Sequence, residues 1–96
     1  MEISSNSTVV VAKNVISCDL VGELALLNLK DGVYYVLDAQ GAGIWNLIQK
    51  PNTLKDVLEV LLKEYDVDKE QCRQDLMELI QELVDKGLVE IKNGSI

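Results

Sequence analysis

The sequence predicts an α+β domain of winged-helix-like layout, with a small antiparallel sheet of about three strands followed by three α-helices. Three observations carry that reading. Short apolar and β-branched runs fill the chain up to Leu37, an Asp-Gly turn joins two of them, and from Asp38 the apolar spacing shifts from two towards 3.6.

Taken in order, the first eight residues are polar and are expected to be a flexible lead-in to a single domain spanning residues 9–92, with 93–96 as a tail. Thr8-Val9-Val10-Val11-Ala12-Lys13 reads as a short strand, and Val15-Ile16 is a second short run. Leu24-Ala25-Leu26-Leu27-Asn28-Leu29 and Val33-Tyr34-Tyr35-Val36-Leu37 flank Lys30-Asp31-Gly32, a hairpin signature because Gly tolerates the positive φ of a tight turn. Whether Val9–Val11 pairs with that hairpin is left open by the pattern. Gly41 to Ile48 forms a first helix, stopped before Pro51. Thr53 caps a second, with Asp56 at the capping-box position and a stripe of Leu54, Val57, Leu58, Leu61 and Leu62. Asp68 caps a third, whose apolar stripe is Cys72, Leu76, Leu79, Ile80 and Leu83 and whose C′ residue is Gly87.

Composition removes several function classes. The chain has 96 residues, no histidine, and a formal charge of −7 at pH 7. Without imidazole there is no Ser-His or Cys-His nucleophile pair and no His metal ligand. Cys18 and Cys72 lie too far apart for a zinc site, which wants four ligands in close pairs. Met1-Glu2-Ile3-Ser4-Ser5-Asn6 has neither the basic start nor the apolar stretch of a secretory signal, and no run is long enough to cross a bilayer. A cytoplasmic protein with reduced thiols is the expectation.

The remaining chemistry is sparse. Glu78, Glu82 and Asp85 share a face of the third helix but come from one element, whereas hard cations are held by ligands converging from several; a solvated acidic face is the better reading. Cys72 sits on an apolar stripe and reads as a small buried hydrophobe. No metal, cofactor or catalytic residue is expected. An acyl carrier would need a serine at a helix start, and Ser4, Ser5, Ser7, Ser17 and Ser95 all lie outside the helices. A winged-helix nucleic-acid binder is the rival reading, but the third helix carries Glu70, Asp75, Glu78, Glu82 and Asp85 against Lys69, Arg73 and Lys86, and phosphates would repel it. Peptide recognition remains: an open edge at Val33–Leu37 offers unpaired N–H and C=O groups, and the third helix can wall a groove beside it. In the alternative, Tyr34, Tyr35 and the helix stripe are simply core.

The order of these segments, with the Gly-Val-Tyr-Tyr-Val-Leu-Asp strand, Gly41-Ala42-Gly43-Ile44-Trp45 and the closing Leu83-Val84-Asp85-Lys86-Gly87-Leu88, resembles the PqqD-like family, also called RiPP recognition elements. The resemblance covers about Val9 to Ile91. It implies a non-catalytic module that binds the leader of a ribosomally made precursor peptide and presents it to processing enzymes. The leader would add as a β-strand to Val33, Tyr34, Tyr35, Val36 and Leu37 and face Cys72, Asp75, Leu76, Leu79 and Ile80. The wording is most like the lasso-peptide branch, whose partners would be a leader-cleaving cysteine protease and an ATP-dependent cyclase, and whose leaders tend to carry Tyr-x-x-Pro. Relatives serving quinone-cofactor or radical-enzyme pathways share the pattern. No nucleic-acid or membrane partner is implied.

Overall fold

The computed structural model describes residues 3, 4 and 6–92. The chain runs β1 (Thr8–Val11), β2 (Val15–Leu20), β3 (Glu23–Asn28), β4 (Tyr34–Leu37), α1 (Ala39–Leu47), β5 (Asn52–Thr53), α2 (Leu54–Glu64), α3 (Lys69–Asp85) and β6 (Val89–Lys92). The α+β class and the three helices stand, but the strands form two antiparallel three-stranded sheets, ordered β5-β1-β6 and β2-β3-β4. The expected order of strands first and helices afterwards is corrected by β6, which returns after α3 to pair along β1 from Val11↔Val89 to Thr8↔Lys92. Val9–Val11 therefore pairs with β5 and β6 and not with the hairpin.

The hairpin forms where the Asp-Gly turn places it. Gly32 takes φ +71 and donates to the Asn28 carbonyl at 2.8 Å, while the Asp31 carboxylate accepts from the Val33 N–H at 3.0 Å. Direct cross-strand partners share a face. Leu24↔Leu37 and Leu26↔Tyr35 thus face the helices, and Ala25↔Val36 and Leu27↔Tyr34 face outward. The Val15-Ile16 run extends to Leu20, giving β2 on the far side of β3.

All three helices start on side-chain caps. Asp38 accepts from Gly41 N–H, Thr53 from Asp56 N–H and Asp68 from Gln71 N–H. The cap at Asp38 opens α1 two residues before Gly41, where the apolar period alone had put it. Gly87, at φ +74, ends α3 and lets the chain turn back, with Leu88 N–H donating to the Leu83 carbonyl.

Val9, Leu26, Ile48, Leu54, Leu76, Ile80 and Leu83 are fully buried at the junction of both sheets with the helices. Each such side chain contributes roughly 1.5–3 kcal/mol by leaving water. Of the opening residues expected to be flexible, Ser7 is fully buried, its carbonyl accepts from Leu54 N–H at 3.1 Å, and Ile3 packs on the core. Residues 93–96, expected as a tail, lie outside the described residues.

Candidate functional site

Among the described residues strand β4 has only one neighbour, β3, so its second edge is open. In an antiparallel pair the backbone groups of alternate residues point to the partner. The Val33 carbonyl accepts from Asn28 N–H at 3.0 Å and so faces β3. Alternation then turns the backbone groups of Tyr34 and Val36 towards the open edge. Their side chains are 68% and 51% exposed.

Beside this edge lies an open groove of about 230 Å³. Tyr35, Val36 and Leu37 of β4 form one wall, and Cys72, Asp75, Leu76 and Leu79 of α3 form the other. Asp38, Gln40, Gly41 and Ile44 close the end at α1, and Leu61 comes from α2. The groove exists because α3 runs antiparallel to β4 at one side of the sheet, so its first half meets Leu37 and its last turn meets the hairpin loop.

Seven of the ten residues singled out from the sequence therefore line one groove: Tyr35, Val36, Leu37, Cys72, Asp75, Leu76 and Leu79. The other three are placed elsewhere. Ile80 is fully buried in the core, because the stripe on α3 is wide and Ile80 lies at its centre while Leu79 lies at its margin. Tyr34 points to the outer face of the sheet, paired with Leu27. Val33 lines a second hollow of about 230 Å³ at the loop end, opposite Asp85, Lys86 and Leu88.

Tyr35 lines both hollows. Its phenol donates to Glu82 on α3, and the Lys86 ammonium lies 5.2 Å from its ring centroid. The Glu82 hydrogen bond, with burial and the negative charge of Glu82 and Asp38, pushes the phenol up to about 12. Burial, reinforced by Asp75, raises the Cys72 thiol above its ordinary value, the opposite of what a nucleophile needs. Both cysteines are free, Cys18 on the surface and Cys72 buried.

Sequence reasoning missed Asn28 and Glu82 as parts of this site. Asn28 is buried; its amide donates to the Lys86 carbonyl at 2.9 Å, and its oxygen accepts from Asn14 at 2.7 Å and from Lys30 N–H at 2.9 Å. It ties the hairpin to the end of α3 beside the loop-end hollow, which it also lines. In the sequence Glu82 shows only as one of an acidic row with Glu78 and Asp85. Among the described residues no group of three or more acids or cysteines converges to hold a metal ion, and no helix is long and apolar enough to cross a membrane.

The family model for Coenzyme PQQ synthesis protein D (PqqD) matches residues 23–89, which take in the hairpin, the groove and all three helices. The chain belongs to the PqqD family. This PqqD-family chain is also similar to a solved structure described as TbiB1 in complex with the TbiA(beta) leader peptide, at 31% identity over 84% of this chain and 94% of that one, with a TM-score of 0.79. A second, lasso peptide synthetase B1 complexed with the leader peptide, is 21% identical over 85% of this chain and 96% of that one, with a TM-score of 0.77, and supports the fold alone. No curated protein matches the chain by sequence.

Proposed function

We propose that this protein is a non-catalytic recognition module that captures the leader of a ribosomally synthesised precursor peptide by strand addition to β4, in a lasso-peptide pathway. The observation that carries the reading is the bare edge of β4 running along an apolar groove walled by α3. An extended peptide satisfies its own backbone on Tyr34 and Val36 and sinks alternate side chains into the groove, which is how strand addition combines affinity with selectivity. Likeness, at 31% identity, to a chain solved with a leader peptide supports the same reading.

The residues assigned to the peptide are Tyr34 and Val36 by backbone, and Tyr35, Leu37, Cys72, Asp75, Leu76 and Leu79 by side chain, within one domain spanning residues 9–92. Val33 belongs to the loop-end hollow, and Ile80 supports the groove floor from below. The protein works in the cytoplasm and hands the leader to a cysteine protease and an ATP-dependent cyclase. A charge of −7 steers it towards leaders bearing Lys or Arg and away from nucleic acid.

The test is a fluorescence-anisotropy titration with a labelled synthetic leader carrying Tyr-x-x-Pro, beside a scrambled peptide of the same composition. Saturable binding of the leader alone, with Kd between about 1 nM and 1 μM, supports the reading. Equal binding of the scrambled peptide, or none of either, overturns it for this class of leader.

A further inference from the structure

Tyr35 stands across the cleft and not along it. Its backbone belongs to β4, its hydroxyl is held by Glu82 on α3, and Lys86 sits over its ring. On one side opens the groove between Leu37 and Leu76; on the other opens the hollow between Val33 and Lys86. One side chain, fastened at both ends, separates two spaces of similar volume.

We propose that Tyr35 is a specificity-determining partition that fixes the register of the peptide on β4, with Glu82 as its positioning residue. The inference rests on the strand-addition reading above and deepens it. Side chains on one face of a strand recur every second residue, about 6.6–6.8 Å apart. A peptide paired antiparallel to β4 therefore presents three successive same-face residues opposite Leu37, Tyr35 and Val33. The first enters the apolar groove. The third enters the loop-end hollow, whose lining includes Asp31, Asp85 and Lys86.

The middle residue meets Tyr35 itself. Because the backbone of Tyr35 is turned towards β3, its pairing with the incoming strand is of the non-hydrogen-bonded kind, in which Cα atoms approach to about 4.5 Å and side chains crowd most. Glu82 and Lys86 hold the ring in this position. The middle position accepts Gly, Ala or Ser and rejects large side chains. The resulting motif is a bulky apolar residue, a small residue two positions on, and an unrestricted polar or apolar residue two beyond that. A slip by two residues towards the loop end would drive the bulky apolar side chain onto Tyr35, so the partition limits where along the leader the module sits.

The experiment is selection from a displayed library of random leader-length peptides on the wild-type protein, on Tyr35→Ala and on Glu82→Ala. Glu82 lies on the exposed side of α3, so its replacement frees the ring without emptying the core. Wild-type protein is expected to enrich the bulky-x-small pattern. Tyr35→Ala merges the two hollows and should admit Leu or Phe at the middle position, with about tenfold or greater gain for such a peptide over wild type. Glu82→Ala should shift the tolerance part-way, to Val and Thr. A merely structural role for Tyr35 would weaken every peptide alike and produce no gain. Enrichment by wild-type protein without restriction at the middle position, or a restriction that survives in both variants, overturns the partition alone. Failure of the wild-type protein to enrich any peptide overturns the strand-addition reading with it.

Discussion

Among the described residues strands β4 and β6 are both four-residue edge strands, each paired on one side only, yet their free edges are treated oppositely. In β6 the sequence Val-Glu-Ile-Lys alternates buried apolar with exposed charged residues, so Glu90 and Lys92 flank the open edge. Charges at an edge discourage pairing with another chain. In β4 the sequence Tyr-Tyr-Val-Leu has no charge, and its outward residues Tyr34 and Val36 are apolar and exposed. The outer face continues this character through Ile16 and Leu20 on β2. The difference separates a strand that closes a sheet from one kept available for a further strand.

The largest expected effect sharpens the structural half of that contrast. Ile91→Ala on β6 removes a buried side chain and should lower unfolding free energy by about 2–5 kcal/mol, read by urea denaturation. Peptide affinity per folded molecule should not change. Next comes Val36→Pro on β4. Its N–H faces the open edge, so the ladder to β3 survives, and proline is tolerated at such positions. Affinity for the leader should fall at least tenfold, about 1.4 kcal/mol, while the circular-dichroism melting curve stays close to that of the wild type. Retained affinity with a normal melt would break the assignment of β4 as the docking edge.

Much of this contrast was legible beforehand, and the gaps have physical causes. The hairpin was announced by Asp31-Gly32, and the caps by Thr53 and Asp68, because turn and cap chemistry are local. Strand β6 was not, since Val89–Lys92 becomes a strand only through pairing with β1 from the other end of the chain. Alternation divided Tyr34 from Tyr35 correctly, but which face turned inward depended on where α3 came to lie. The stripe on α3 could not separate Leu79, at the groove, from Ile80, in the core, for adjacent residues on a wide apolar face differ only in what packs against them. Asn28 was passed over for another reason: alternation sets it on the inward face with Leu24 and Leu26, but its partners Asn14, Lys30 and Lys86 come from loops and a helix end that spacing does not place.

A third prediction concerns the fastening of the edge to α3. In the folded protein the Tyr35 phenol is raised from its ordinary 10.0 to about 12, first by the Glu82 hydrogen bond. The neutral phenol is thus favoured by folding. Its contribution is complete below pH 10, the value of the unfolded chain, and is lost as pH rises towards 12. Tyr35→Phe should lack that loss. The difference absorbance of tyrosinate between wild type and Tyr35→Phe isolates the titration, and a midpoint near 10 would mean that the Glu82 contact is absent in solution.

The smallest expected effect tests whether the two edges differ by side-chain chemistry alone. Tyr34→Lys copies onto β4 the exposed cation that Lys92 provides on β6. Tyr34 is 68% exposed on the outer face, so folding stability should change by no more than about 0.5 kcal/mol. Its backbone still faces the open edge, and the groove on the opposite face is untouched. Leader affinity should therefore change less than about tenfold, whereas self-association at high concentration, followed by light scattering, should fall. A large loss of leader affinity with unchanged stability would mean that the outer face also touches the peptide, and that the apolar surface running from Tyr34 to Ile16 belongs to the docking site.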